Sequence, residues 1–128
     1  MKYMGSKSRI VDNILPIIQE RLRDYNIKTY IEPFCGGCNV IDKVQCDTKI
    51  ASDNHQYLIE MFKNLNQIQN LPEFITKEHY SDVRECFNKG LSTYPNWYIG
   101  AVGFLSSYNG RFFDGGYSGT VSYTHLTL

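Results

Sequence analysis

The stretch Tyr30-Ile31-Glu32-Pro33-Phe34-Cys35-Gly36-Gly37-Cys38-Asn39-Val40-Ile41 decides how this chain is read. An apolar run ends on an acid and opens into two glycines. Thr29 to Pro33 reads as a buried strand that carries Glu32 to its C-terminal edge. A tight turn and a short helix from Asn39 to about Val44 are expected to follow. Ligands of open α/β sheets bind at this kind of strand edge. Gly36 and Gly37 lack a Cβ, so a ligand can approach the backbone and the turn can use positive φ.

Upstream, Ile10, Val11, Ile14, Leu15, Ile18 and Leu22 recur at helical spacing, with Ser6 or Ser8 placed to cap the helix. Pro16 is expected to kink that helix or end its first segment. Downstream, Lys49-Ile50-Ala51-Ser52-Asp53 reads as a second strand, and Tyr57, Leu58, Met61, Phe62 and Leu65 as a helix. Helix–strand–helix–strand–helix implies an α/β class with parallel strands and helical crossovers.

From Leu71 the character changes. A helix is expected from about Lys77 to Asn88, then a loop from Gly90 to Pro95 and an apolar stretch from Trp97 to Leu105. Ser106 to Gly119 is rich in glycine and aromatics without core periodicity, and reads as an irregular surface loop. Val121 to Leu128 continues no pattern and is set aside as a non-native tail. The expected division is residues 1–70 for a cofactor-binding part, 71–120 for a helical segment leading into a recognition region, and 121–128 for the tail.

The 128 residues fit one small domain or a piece of a larger one. Thirteen basic and thirteen acidic residues cancel, so bulk charge selects neither a nucleic acid nor a membrane. Local patches can still bind DNA. Met1 to Arg9 holds no apolar signal region, and no stretch approaches the roughly 18 apolar residues of a membrane span. A cytoplasmic protein without membrane attachment is expected. Cys35 and Cys38 form a C-x-x-C that His55 and His79 could extend to a zinc site, but Cys46 and Cys86 are scattered. Packing thiols are the better reading, and no metal is assigned.

Three elements suggest a nucleoside cofactor. Glu32 and the Gly36-Gly37 turn are the first. Asp53, at the end of the second strand, is placed to accept hydrogen bonds from ribose hydroxyls, or else to cap the helix opening near His55. The third is Tyr3-Met4-Gly5-Ser6-Lys7, where Lys7 could pair with a carboxylate or stay solvated. Neither G-x-G-x-x-G nor G-x-x-x-x-G-K-[ST] occurs, and Glu32 would repel a pyrophosphate. An acid there suits a cationic cofactor, a sulfonium with an ammonium group, and so points to S-adenosylmethionine.

Tyr-x-Gly-Ser-Lys at residues 3–7, Ile-Glu-Pro-Phe-x-Gly-Gly at 31–37, the aspartate closing the next strand and Tyr-Asn-Gly-Arg at 108–111 together resemble Dam-type DNA adenine-N6 methyltransferases. The likeness is to the phage and mobile-element branch and runs from Met1 to about Gly119. It implies a Rossmann-like S-adenosylmethionine-dependent methyltransferase fold that methylates adenine N6 in double-stranded DNA, inside a bacterial or phage-infected cell. By match, Tyr3, Gly5 and Lys7 line the methionine end of the cofactor. Glu32, Pro33, Phe34, Gly36 and Gly37 form its principal loop, and Asp53 binds the ribose. The family's usual third glycine is Cys38 here, and its ligand-facing asparagine two positions after the aspartate is replaced by His55.

Tyr108, Asn109 and Arg111 fall where that family enters its DNA-recognition region. Asn109 could read an adenine, and Arg111 could bind a phosphate or guanine edge or brace its own loop. The family's catalytic Asp-Pro-Pro-Tyr pattern is not in the sequence. The chain therefore reads as a monomeric N-terminal part of a methyltransferase, its sheet cut before the later strands and inactive alone, with no catalytic residue assigned. The alternative is a non-catalytic nucleotide- or DNA-binding module.

Overall fold

A computed structural model describes residues 2–119, so the tail at 121–128 lies outside the described residues. The chain forms two compact units, Gly5–Asn54 and Met1–Met4 with His55–Leu128.

In the first unit, helix α1 (Val11–Asp24) is followed by strands β1 (Thr29–Glu32) and β2 (Thr48–Ala51). The strands pair in parallel, Thr29 against Thr48 through Glu32 against Ala51. Val11 and Leu22 of α1 pack with Val40 and Val44, flanked by Leu15, Ile18 and Tyr30. Several local expectations are corrected here. Neither Ser6 nor Ser8 caps α1, whose N-cap is Ile10 without a side-chain bond. Ser6 Oγ instead accepts from the Ser8 N–H at 3.1 Å, a local turn that competes with capping. The helix also runs through Pro16 rather than ending there.

β1 is not a buried strand. Its outward face carries Ile31, 58% exposed, beside its register partner Ile50, 47% exposed. A parallel sheet buries both faces only when helices cover both; α1 and the Val40–Val44 segment pack with Tyr30, on the opposite side from Ile31. Asn39 to Val44 is not a helix. It is a run of turns, closed by Lys43 N–H to Val40 O at 2.9 Å and Val44 N–H to Val40 O at 3.2 Å. β-branched Val40, Ile41 and Val44 bury themselves without a continuous ladder. The crossover between the strands is therefore made of turns.

The second unit holds α2 (Gln56–Lys63), α3 (Leu65–Ile68), α4 (Lys77–Asn88), α5 (Asn96–Leu105) and a 3₁₀ turn at Tyr108–Gly110. Thr76 caps α4, its Oγ1 accepting from the His79 N–H at 3.1 Å. α5 is apolar nearly all round and buries Ile99 through Phe104, as a central helix does. A Cβ on Gly100 would lie 2.2 Å from the Tyr57 carbonyl oxygen, so that glycine lets α2 and α5 touch backbone to side.

Ser106 to Gly119 is irregular, yet it is not a surface loop. Phe112, Phe113 and Tyr117 pack on the Ile75, Tyr80, Val83, Ile99 and Val102 core. Ser107 and Tyr117 form a β-bridge, and Tyr80 OH meets Ser107 Oγ at 2.8 Å. Its glycines serve packing as well as turning. A Cβ at Gly110 would lie 2.1 Å from the Lys2 carbonyl oxygen, and one at Gly115 2.5 Å from that of Tyr108.

Candidate functional site

The end of β1 and the turn after it are laced to the end of β2. The Ser52 N–H donates to Glu32 O at 3.0 Å, and the Cys35 N–H to Ser52 O at 2.9 Å. Ser52 Oγ donates to Pro33 O at 3.2 Å. Next along the turn, the Gly36 N–H donates to Asp53 Oδ2 at 3.0 Å. Gly36 has φ 50°, which a glycine adopts without a Cβ clash. The acid closing β2 thus holds the glycine turn that follows β1. The N-cap of α2 is His55, its Nδ1 accepting from the Leu58 N–H at 3.4 Å. The His55 ring packs edge-on to Phe104 and Phe112, so it is built into the core of its own unit.

Glu32 is half-buried, and its Oε2 is buried without a hydrogen-bond partner. Burial pushes its carboxyl above the usual carboxylate range, against the opposing pull of the Lys7 charge and the Ile41 N–H. An orphaned carboxylate oxygen of this kind is costly unless something positive meets it. Lys7 is exposed and Gly5, at φ 83°, has open space where a Cβ would stand. Pro33 is exposed, and Phe34 presents an apolar ring that is 77% exposed.

Gly5, Lys7, Glu32, Pro33, Phe34, Gly36, Gly37 and Asp53 all belong to the first unit. Tyr3 belongs to the second, where its ring lies 5.9 Å from that of Phe104.

The thiols of Cys35 and Cys38 are buried. Burial pushes both upward, Cys38 furthest, which keeps them as neutral thiols. Among the described residues no group of three or more His, Cys, Asp or Glu is arranged to hold a metal ion. Cys38 occupies the left-handed region at φ 59°, a conformation that favours glycine.

Tyr108 is exposed, Asn109 is exposed with φ 54°, and Arg111 pairs with Asp114 at 3.2 Å. That pair braces the loop. Sequence reasoning missed the contacts that set the turn: Asn39 Nδ2 to Ser6 Oγ at 2.6 Å and Lys49 Nζ to Ile41 O at 3.0 Å. Nothing in the local pattern at Asn39 or Lys49 marks these partners.

A model of the D12 class N6 adenine-specific DNA methyltransferases matches residues 3–101. The chain belongs to this family. The match takes in both N-terminal motifs and Asp53, and ends before Tyr108. Among its relatives, the type II methyltransferase M.MjaIII of Methanocaldococcus jannaschii is 29% identical over 108 residues, covering 70% of this chain and 37% of the relative. The modification methylase StsI of Streptococcus sanguinis is 29% identical over 106 residues, covering 75% of this chain and 16% of the relative. This D12 class chain therefore spans well under half the length of these relatives. Among its described residues, no helix is long and apolar enough to cross a membrane.

Proposed function

We propose that the chain is the S-adenosylmethionine-binding part of a DNA adenine-N6 methyltransferase with a Rossmann-like sheet, acting on double-stranded DNA in the cytoplasm. The observation that carries this is the buried, unpartnered Glu32 Oε2 beside the Gly36-Gly37 turn. Such an oxygen fits a cationic ligand and would repel a pyrophosphate. Lys7, whose charge is felt at Glu32, supplies the opposite sign. The two together match the zwitterionic amino-acid end of S-adenosylmethionine. Gly5 has open space at its Cβ position, Gly36 and Gly37 carry no Cβ, Phe34 and Pro33 offer apolar surface, and Asp53 holds the turn and is assigned the ribose. When bound, S-adenosylmethionine supplies an electrophilic methyl group on its sulfonium. The residues of this chain bind and orient it. Presenting the flipped adenine is assigned to the Asp-Pro-Pro-Tyr pattern, which is not among these 128 residues.

Tyr108, Asn109 and Arg111 serve DNA in the same reading. The Arg111–Asp114 pair is exposed and worth little, about 0–1 kcal/mol, so Arg111 can turn to a phosphate at small cost. Isothermal titration with S-adenosylmethionine and S-adenosylhomocysteine tests the proposal. Saturable binding that Asp53→Ala and Lys7→Ala both weaken supports it. A cooperatively folded chain whose affinity neither variant changes would overturn it, leaving a DNA-binding module recognised by salt-dependent affinity.

A further inference from the structure

We infer that Asn39 and Ser6 are a positioning pair that sets Lys7 for the charged end of the cofactor; the inference rests on the cofactor reading above and names residues that it does not use. The two are 33 residues apart in sequence, yet Asn39 Nδ2 donates to Ser6 Oγ at 2.6 Å. Both side chains are half-buried. Ser6 Oγ also accepts from the Ser8 N–H at 3.1 Å, so its two lone pairs are engaged. Gly5, immediately before it, has φ 83° and no neighbour at its Cβ position. The Asn39 bond is thus the described side-chain tie that fixes the 5–7 segment against the glycine turn.

Asn39 is itself held on both sides. The Cys38 N–H donates to Cys35 O at 2.8 Å, and Cys38 at φ 59° turns the chain just before Asn39. Beyond it, Lys49 Nζ grips Ile41 O at 3.0 Å. A rigid donor therefore meets an otherwise loosely held acceptor. Lys7 follows Ser6 directly, so the bond sets where the lysine side chain starts, and with it the spacing of positive and negative charge between Lys7 and Glu32. Neither Asn39 nor Ser6 needs to touch the ligand for this.

The test uses the full chain and two probes, S-adenosylmethionine and 5′-methylthioadenosine, which lacks the amino-acid end. Asn39→Ala and Ser6→Ala should each weaken S-adenosylmethionine about three- to ten-fold, the worth of one neutral hydrogen bond. Ser6→Ala also gives up the Ser8 N–H bond, so the double variant should be no worse than Ser6→Ala alone, because the Asn39 bond is lost once. Ser6→Thr, which keeps the hydroxyl, should restore affinity. Affinity for 5′-methylthioadenosine should not move. Ser6→Ala removes the acceptor of the Asn39 bond together with that of the Ser8 N–H, and with Ser6→Thr beside it reads the hydroxyl should Asn39→Ala unfold, as a thermal melt would reveal. Equal weakening of both probes would mean a general structural role and overturn the inference. Unchanged S-adenosylmethionine affinity in folded single variants would also overturn it, while leaving the cofactor reading intact. A folded wild-type chain that binds neither probe would overturn both.

Discussion

Replacing Glu32 with glutamine isolates the charge that the cofactor reading depends on. The two side chains have the same shape, so Glu32→Gln keeps an oxygen near the Ile41 N–H and removes the buried negative charge, with the amide NH2 standing where Oε2 had no partner. Without ligand, the variant should be about as stable as wild type. With ligand, it should lose the charged hydrogen bond to an ammonium group. Such bonds contribute about 1.5–3 kcal/mol, so affinity for S-adenosylmethionine should fall about 10- to 100-fold. Titration calorimetry and thermal melts measure the two halves.

The pH dependence carries a definite sign. Burial raises the carboxyl of Glu32 in the folded state, so the folded chain keeps this proton where the unfolded chain has lost it. The stabilisation is full below the ordinary carboxylate range and is lost as pH rises through the raised value. A cationic ligand needs the ionised form. Its affinity should therefore tighten as pH rises through that same value, with proton release visible in buffers of different ionisation enthalpy. Both trends should vanish in Glu32→Gln. A variant that melts lower than wild type and binds S-adenosylmethionine equally well would refute the reasoning and make Glu32 a structural acid.

Asp53→Asn keeps an acceptor oxygen for the Gly36 N–H, so the melting temperature should hold, whereas Asp53→Ala should lower it by removing that acceptor; equal melts would show that the bond does not support the turn. Gly110→Ala drives a Cβ to 2.1 Å from the Lys2 carbonyl oxygen at φ 65° and should cost about 1–3 kcal/mol by overpacking, read by chemical denaturation. Ile31→Thr, on the open face of β1, should change stability by no more than about 0.5 kcal/mol; a loss of several times that would mean the face is covered in solution.

Much of the architecture is legible because its causes are local. The helix expected from about Lys77 to Asn88 is found there as α4, and the structure adds Thr76 as its cap. The β-rich runs ending on Glu32 and Asp53 place two parallel strands and bring both acids to one sheet end. The motifs at residues 3–7 and 31–37 carry the family, and the matched span includes them. Where the local pattern misled, a distant partner had the larger say. Val40, Ile41 and Val44 look like a helical face, but Ser6 and Lys49 tie their segment down as turns. Phe112 and Phe113 look like loop aromatics, yet Gly103 leaves space where a Cβ would lie 2.3 Å from the Phe112 ring, and the ring fills it.

By itself, then, the sequence determined the order and type of most elements, the acids at the strand ends and the glycine turn between them, since helix and strand periods and backbone freedom are set within a few residues. The tertiary structure decided which of those groups are buried, which are paired and which oxygen of Glu32 has no partner. Burial and hydrogen bonding depend on segments that meet only on folding, as Asn39 meets Ser6 across 33 residues. That is why the chemistry of the turn was visible in the residues, and its geometry was not.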